Sequence, residues 1–260
     1  DYLSGDTANS SIEASIAEFE KANPDIKVKR TTFAFADLSK SILQGSVGGE
    51  VPDVAVVDVV DNQNFASLGM LKDLSGDGIN KSDFFDGPWS SVEFDGKTYG
   101  IPLNSNNLAL YYNKTMLKEA GVEVPTDWAS LKEAAKKTTK GDVKGLAISA
   151  VKNESGTFQL LPFVWQTGGD MSNYSESGAT ALAYLRGMIE DGSVSEAVVN
   201  YTQEDARTQF ITGKAAMMIN GPWELSTLTK DAEIEWDVAP LPKDKRAATS
   251  MGGENVVVMN

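Results

Sequence analysis

The sequence predicts an α/β protein, and three observations carry that expectation. Apolar residues recur at helical spacing in several segments. Short apolar runs bounded by acids or glycines lie between those segments. The two patterns also alternate along the 260 residues, the rhythm of sheet strands joined by helices.

Ile12, Ile16 and Phe19 recur at i, i+4, i+7 among Glu13, Glu18, Glu20 and Lys21, an amphipathic helix. Asn23-Pro24-Asp25 stops it, and residues 26–33 read as a strand. Residues 37–44 form a second helix, closed by Gly45, Gly48 and Gly49. The run from Pro52 to Asp58 has the look of a parallel strand buried on both faces. A helix over 62–68 follows, and then a loop-rich stretch to Gly100. Residues 108–112 read as a strand and 114–120 as a helix. Pro125-Thr126-Asp127-Trp128 opens a helix to about Thr138, with Thr126 as its cap. Residues 146–150 form a strand, and 177–191 and 202–212 form helices. Thr202 and Asp205 in the second have the spacing of a capping box. Strands at 215–219, 236–239 and 256–259 complete the pattern, and Pro222 can begin a further helix at its first position. No internal repeat, low-complexity block or flexible linker interrupts it.

Composition removes whole classes of chemistry. The chain has no His and no Cys, so Ser-His-Asp and Cys-His catalysis, thiolate zinc sites and disulfides are unavailable. The net charge of −14, with a pI near 4.5, repels phosphate backbones and anionic lipid, so no nucleic-acid partner is expected. No phosphate-binding glycine loop follows any strand. Asp73 to Gly78 imitates the start of a calcium loop, but its twelfth position is Phe84, so a plain polar turn is the stronger reading. No metal, cofactor or catalytic residue is assigned.

The tryptophans point two ways. Trp128, with Leu131 and Ala135, makes an apolar stripe suited to a core, and Trp236 lies in a strand. Trp89, beside Gly87-Pro88, could pack either way. Trp223 stands in Asn220-Gly221-Pro222-Trp223, just after a strand, where α/β folds form ligand clefts. An indole there can lie against the flat face of a sugar. Position alone leaves it open between that role and packing on its own helix.

Several motifs, in order along the chain, carry a resemblance. They are Phe19 to Pro24; Pro52-Asp53 with Gly69 to Leu74; Gly96-Lys97-Thr98-Tyr99-Gly100-Ile101-Pro102 leading to Leu110-Tyr111-Tyr112-Asn113-Lys114; Phe210 to Trp223; and Val238-Ala239-Pro240-Leu241-Pro242 with Gly252-Gly253. Together they resemble the bacterial extracellular solute-binding proteins of family 1, the maltose-binding-like receptors of ABC importers. The resemblance implies a type II periplasmic-binding-protein-like fold, two α/β lobes joined by a hinge that close over a ligand. Lobe 1 would span 1–107 and regain the chain at 255–260, and lobe 2 would span 108–254. Against the family pattern the chain starts one strand late and stops about a hundred residues early. The fold is therefore expected to be incomplete at both termini, and this segment alone to be poorly stable and a weak binder.

The resemblance also implies the ligand contacts. Tyr2, Ser4, Asp58, Asp61 and Asn62 would serve lobe 1, and Asn104 and Asn106 the crossover. Trp165, Gln166, Trp223, Gly253, Glu254 and Asn255 would serve lobe 2. The implied function is non-enzymatic: capture of a mono- or oligosaccharide outside the cytoplasm, by a periplasmic or lipid-anchored receptor, and delivery to the membrane permease of an ABC importer. A monomer is expected. Asn106 falls where maltose binders carry a carboxylate, which speaks against maltose itself. The alternatives are a receptor for a polyamine or polyol phosphate, or a carboxylate-only glycoside-cleaving enzyme.

Overall fold

The computed structural model describes residues 1–3 and 5–260, with backbone alone at 6 and 7. In chain order the first elements are α1 (Asp6–Ala22), α2 (Phe35–Gly48), β1 (Val54–Asp58), α3 (Val59–Ser67), α4 (Asp86–Val92), β2 (Glu93–Phe94), β3 (Lys97–Thr98) and β4 (Ile101–Pro102). The middle of the chain supplies β5 (Asn106–Asn107), β6 (Ala109–Asn113), α5 (Lys114–Glu119), α6 (Trp128–Thr138), β7 (Lys144–Ala147) and α7 (Glu154–Gln166). The remainder supplies α8 (Tyr174–Glu190), α9 (Gln203–Ile211), β8 (Ala215–Asn220), α10 (Leu225–Asp231), β9 (Trp236–Ala239), β10 (Met251–Gly252) and β11 (Glu254–Val258). Helices and strands alternate as expected of an α/β chain. No described helix is long and apolar enough to cross a membrane.

The chain divides into two units. Unit 1 comprises Asp1–Ser105 with Gly252–Asn260, and unit 2 comprises Asn106–Met251. The sequence reading placed the two crossings two or three residues later.

Unit 1 is built on a three-stranded sheet of order β1-β11-β4. Both pairings are antiparallel, with Val54 opposite Val258, Asp58 opposite Glu254 and Val256 opposite Ile101. This corrects the reading of residues 52–58 as a parallel strand buried on both faces: Ala55 and Val57 are buried, whereas Val54 is exposed. The buried face packs Ala55, Val57 and Val257 against Leu38 and Ile42 of α2 and Phe65 of α3. Residues 26–33 form no strand. Their backbone is served instead by the Glu20 carboxylate, which accepts from the Val28 amide at 2.9 Å, and by Asp1, whose carbonyl accepts from the Phe33 amide at 2.9 Å.

Unit 2 has three layers. Its sheet has the order β7-β8-β6-β9, parallel between β7 and β8 and antiparallel elsewhere. Every residue of β8 is buried, as a central strand between two helical layers requires. Met217 and Ile219 join a core with Leu131 of α6, Phe163 of α7 and Met188 of α8. Met218 faces the other way, with Phe210 of α9 and Leu228 of α10.

The caps follow local chemistry. Thr202 and Asp205 form the expected reciprocal box at α9. At α6 the cap is Asp127, not Thr126: its carboxylate accepts from the Ser130 amide at 2.7 Å while the Ser130 hydroxyl closes the box. Two helices escaped the sequence pattern, α4 with its Gly87-Pro88 start and α7 with Pro162 inside it. Trp89 is thereby placed in the core at 3% exposure.

Candidate functional site

In unit 1 the expected polar residues gather at one end of the sheet, because β1 and β11 pair Asp58 directly with Glu254. Asp58 caps α3, accepting from the Val60 amide at 3.0 Å. Glu254 is 8% exposed, and its Oε1 accepts the Tyr2 hydroxyl at 3.1 Å. Tyr2 is set in place through its neighbours. The Arg30 guanidinium binds the Asp1 carboxylate and the Leu3 carbonyl, each at 2.9 Å, and the Phe35 ring meets the Tyr2 ring edge-on at 4.9 Å. Asp61 accepts a short hydrogen bond from Ser39 of α2, and the Asn104 side chain accepts from the Glu254 amide at 3.2 Å. Gly253 turns the chain into β11 at φ 139°, and a Cβ there would lie 2.4 Å from the Asn104 carbonyl oxygen, so no other residue fits without strain.

Burial raises both carboxyls above their ordinary range. Asp58 moves from 3.8 to about 6, chiefly by desolvation and then by the negative charges of Glu254 and Asp61, while the Val60 amide and the Tyr2 hydroxyl oppose the change. Glu254 is raised by desolvation against the pull of Asn104 and Tyr2.

Four residues of the expected site, Asn62, Gly253, Glu254 and Asn255, stand differently from expectation here. Asn62 and Asn255 are fully buried and bind each other, the Asn255 amide donating to Asn62 Oδ1 at 3.1 Å and to the Ser91 hydroxyl at 2.9 Å. Asn62 in turn donates to the Tyr99 carbonyl at 3.3 Å. Their polar atoms hold unit 1 together and are not presented to a ligand. Gly253, Glu254 and Asn255 moreover belong to unit 1, since β11 is the central strand of its sheet. Ser4 lies outside the described residues.

In unit 2 the strand end after β8 presents Trp223, which is 38% exposed. Its indole lies on the Gly221 α-carbon so closely that a Cβ there would meet the ring at 2.1 Å. Phe158 of α7 flanks it, with ring centroids 6.2 Å apart. Phe158 was missed because Pro162 hid its helix, although Asn153 before Glu154 carries the cap signal of a helix start. Gln166 is another correction. It is buried, accepts the Trp128 indole N–H at 2.6 Å and donates to the Ala248 carbonyl at 2.9 Å, so it joins core elements. Trp165, half-buried at the end of α7, offers its carbonyl to Arg246 at 2.6 Å. Asn106 keeps a buried amide oxygen with no hydrogen-bond partner among the described residues.

The calcium-like turn is otherwise engaged. The Asp73 carboxylate accepts from the Ser75 hydroxyl and amide at 2.6 and 2.9 Å and pairs with Lys97 at 3.1 Å.

Unit 1 thus gathers two carboxyls whose pKa burial raises and a phenol at one end of its sheet, and unit 2 sets a partly exposed indole just after a strand. The pattern that defines the bacterial extracellular solute-binding proteins matches residues 14–260, and the chain belongs to that family. It is 30% identical to the maltooligosaccharide ABC transporter solute-binding lipoprotein of Streptococcus pneumoniae over 94% of this chain and 60% of the relative. It is 26% identical to the maltodextrin-binding protein MdxE of Bacillus subtilis over 89% and 57%. Among solved structures it superimposes on maltose-bound MalE3 of T. maritima with a TM-score of 0.86, 27% identity and coverage of 96% of this chain and 68% of that one. The GacH receptor of Streptomyces glaucescens, solved free and with acarbose, gives a TM-score of 0.84, 29% identity and coverage of 98% and 69%. The chain thus spans less than two thirds of the length of the two curated relatives.

Proposed function

We propose that this chain is the ligand-capturing part of an extracytoplasmic receptor that binds a mono- or oligosaccharide and delivers it to the permease of an ABC importer. Trp223, Trp165 and Asn106 of unit 2, and Tyr2, Asp58, Asp61, Asn104 and Glu254 of unit 1, are its contact residues. The observation that carries this reading is the Trp223 indole, packed on Gly221 and still 38% exposed. Such a ring is a ready platform for the apolar face of a pyranose. The carboxyls of unit 1 supply directional acceptors for hydroxyls. The relatives' names and ligands point the same way. The charges acting on Asp58 come from Glu254 and Asp61, both acidic, which argues against a polyol phosphate.

A receptor returns its sugar intact, so maltooligosaccharides incubated with the protein should elute unchanged from a sizing column. Release of shorter sugars would favour the glycoside-cleaving alternative. Affinity is tested by calorimetry against maltotriose and other oligosaccharides. Trp223→Ala should weaken the best of them by at least about tenfold, the effect of removing a stacked ring and its buried area. Unchanged affinity would remove Trp223 from the site.

A further inference from the structure

Glu224 follows Trp223 directly and points the opposite way, at 1% exposure against 38%. Its carboxylate is held from two elements. Arg207 of α9 donates through Nη1 to Oε2 at 2.8 Å, and the Asn220 amide at the end of β8 donates to Oε1 at 3.3 Å. Asn220 also donates to the Gln203 carbonyl at 3.0 Å, and its Oδ1 accepts the Gly221 amide at 3.0 Å. The Tyr111 hydroxyl of β6 donates to the Gly221 carbonyl at 2.7 Å. Both backbone polar groups of Gly221 are therefore fixed, and Gly221 is the surface on which the indole rests.

A buried ion pair is a weak source of stability, because desolvation offsets most of its attraction. What it supplies here is geometry. Helix α9, strand β8 and the turn that carries Trp223 are tied to one carboxylate. A ring already oriented before the ligand arrives loses less freedom on binding. We infer that Arg207 and Glu224 are positioning residues that hold the Trp223 indole in its ligand-ready orientation. This rests on the reading of Trp223 as the stacking face, and it adds residues that touch no ligand.

The test separates the two ideas by using a signal that needs no sugar. The protein is labelled with 5-fluorotryptophan, and the Trp223 resonance is identified by its loss in Trp223→Phe. In Glu224→Gln that resonance should shift or broaden while the Trp128 resonance stays in place, and Glu224→Asp should restore it in part. Should Glu224→Gln fail to fold, Arg207→Lys, which keeps the charge and loses the planar fork, reads the same signal. A Trp223 resonance unchanged in Glu224→Gln, or in Arg207→Lys where that is the variant used, overturns the proposal. With maltotriose as probe, Glu224→Gln should lose about tenfold in affinity. In the Trp223→Ala background it should lose little more, because both changes act through one ring. Full additivity would also overturn the proposal. Failure of the unaltered protein to bind any sugar would count against the receptor reading alone, since the fluorine signal decides the positioning role without it.

Discussion

Replacing Asp58 by Asn should stabilise unit 1 at neutral pH and leave it unchanged in acid. Burial and its acidic neighbours lift the Asp58 carboxyl from 3.8 to about 6. The folded chain therefore binds this proton more tightly than the unfolded chain does. The sign is opposite to that of a salt-bridged aspartate: nothing is lost below pH 3.8, and stability falls as pH rises through the window from 3.8 to about 6. A gap of that size corresponds to about 3 kcal/mol, and partial solvent access reduces it to about 2 kcal/mol. Asparagine is isosteric and uncharged, and it can still cap α3 by accepting from the Val60 amide. Urea unfolding of both proteins in a buffer series from about pH 4 to pH 8 is the assay. The Asp58→Asn variant should draw ahead as pH rises through the window and reach a plateau of about 2 kcal/mol above it. An equal gain at every pH, or a loss at neutral pH, would refute the desolvated carboxylate on which the reasoning stands.

Three further outcomes follow from the packing. Thr202→Ala removes one half of the reciprocal cap on α9 and should lower stability by about 1 kcal/mol, read from the urea midpoint. Asn255→Ala strips Asn62 Oδ1 of its donor inside unit 1 and should cost about 1–3 kcal/mol in the same measurement, the penalty of an unsatisfied buried acceptor. Leu131→Ala empties a fully buried site in the unit 2 core and should cost about 2–5 kcal/mol in thermal or chemical unfolding.

The α/β class was legible because periodicity and strand runs report burial directly, and unit 2 follows them closely. Register and strand direction were less legible. An apolar run such as residues 52–58 looks alike in a parallel or antiparallel sheet, and only its partner β11, almost two hundred residues later, decides the matter. Helices α4 and α7 were hidden by prolines that weaken the periodic signal, although a proline in the first turn is compatible with a helix. At the site, motif position placed Trp223, Asp58 and Glu254 near the ends of strands, but it could not distinguish polar groups left open from polar groups already spent. Asn62, Asn255 and Gln166 occupy motif positions and yet have buried amides satisfied within the protein. That distinction depends on contacts between residues far apart in sequence.

The discontinuity of unit 1 orders the steps of folding. Its central strand, β11, begins about 150 residues after its first stretch ends at Ser105, so the sheet closes only through a contact of long sequence separation. Until that contact forms, β1 and β4 have no strand between them, and Ala55 and Val57 have no Val257 beside them. Unit 2, contiguous from Asn106 to Met251, can close its own sheet first. The sheet of unit 1 is therefore the slower of the two to form, and its apolar strand stays open to other partners until β11 docks.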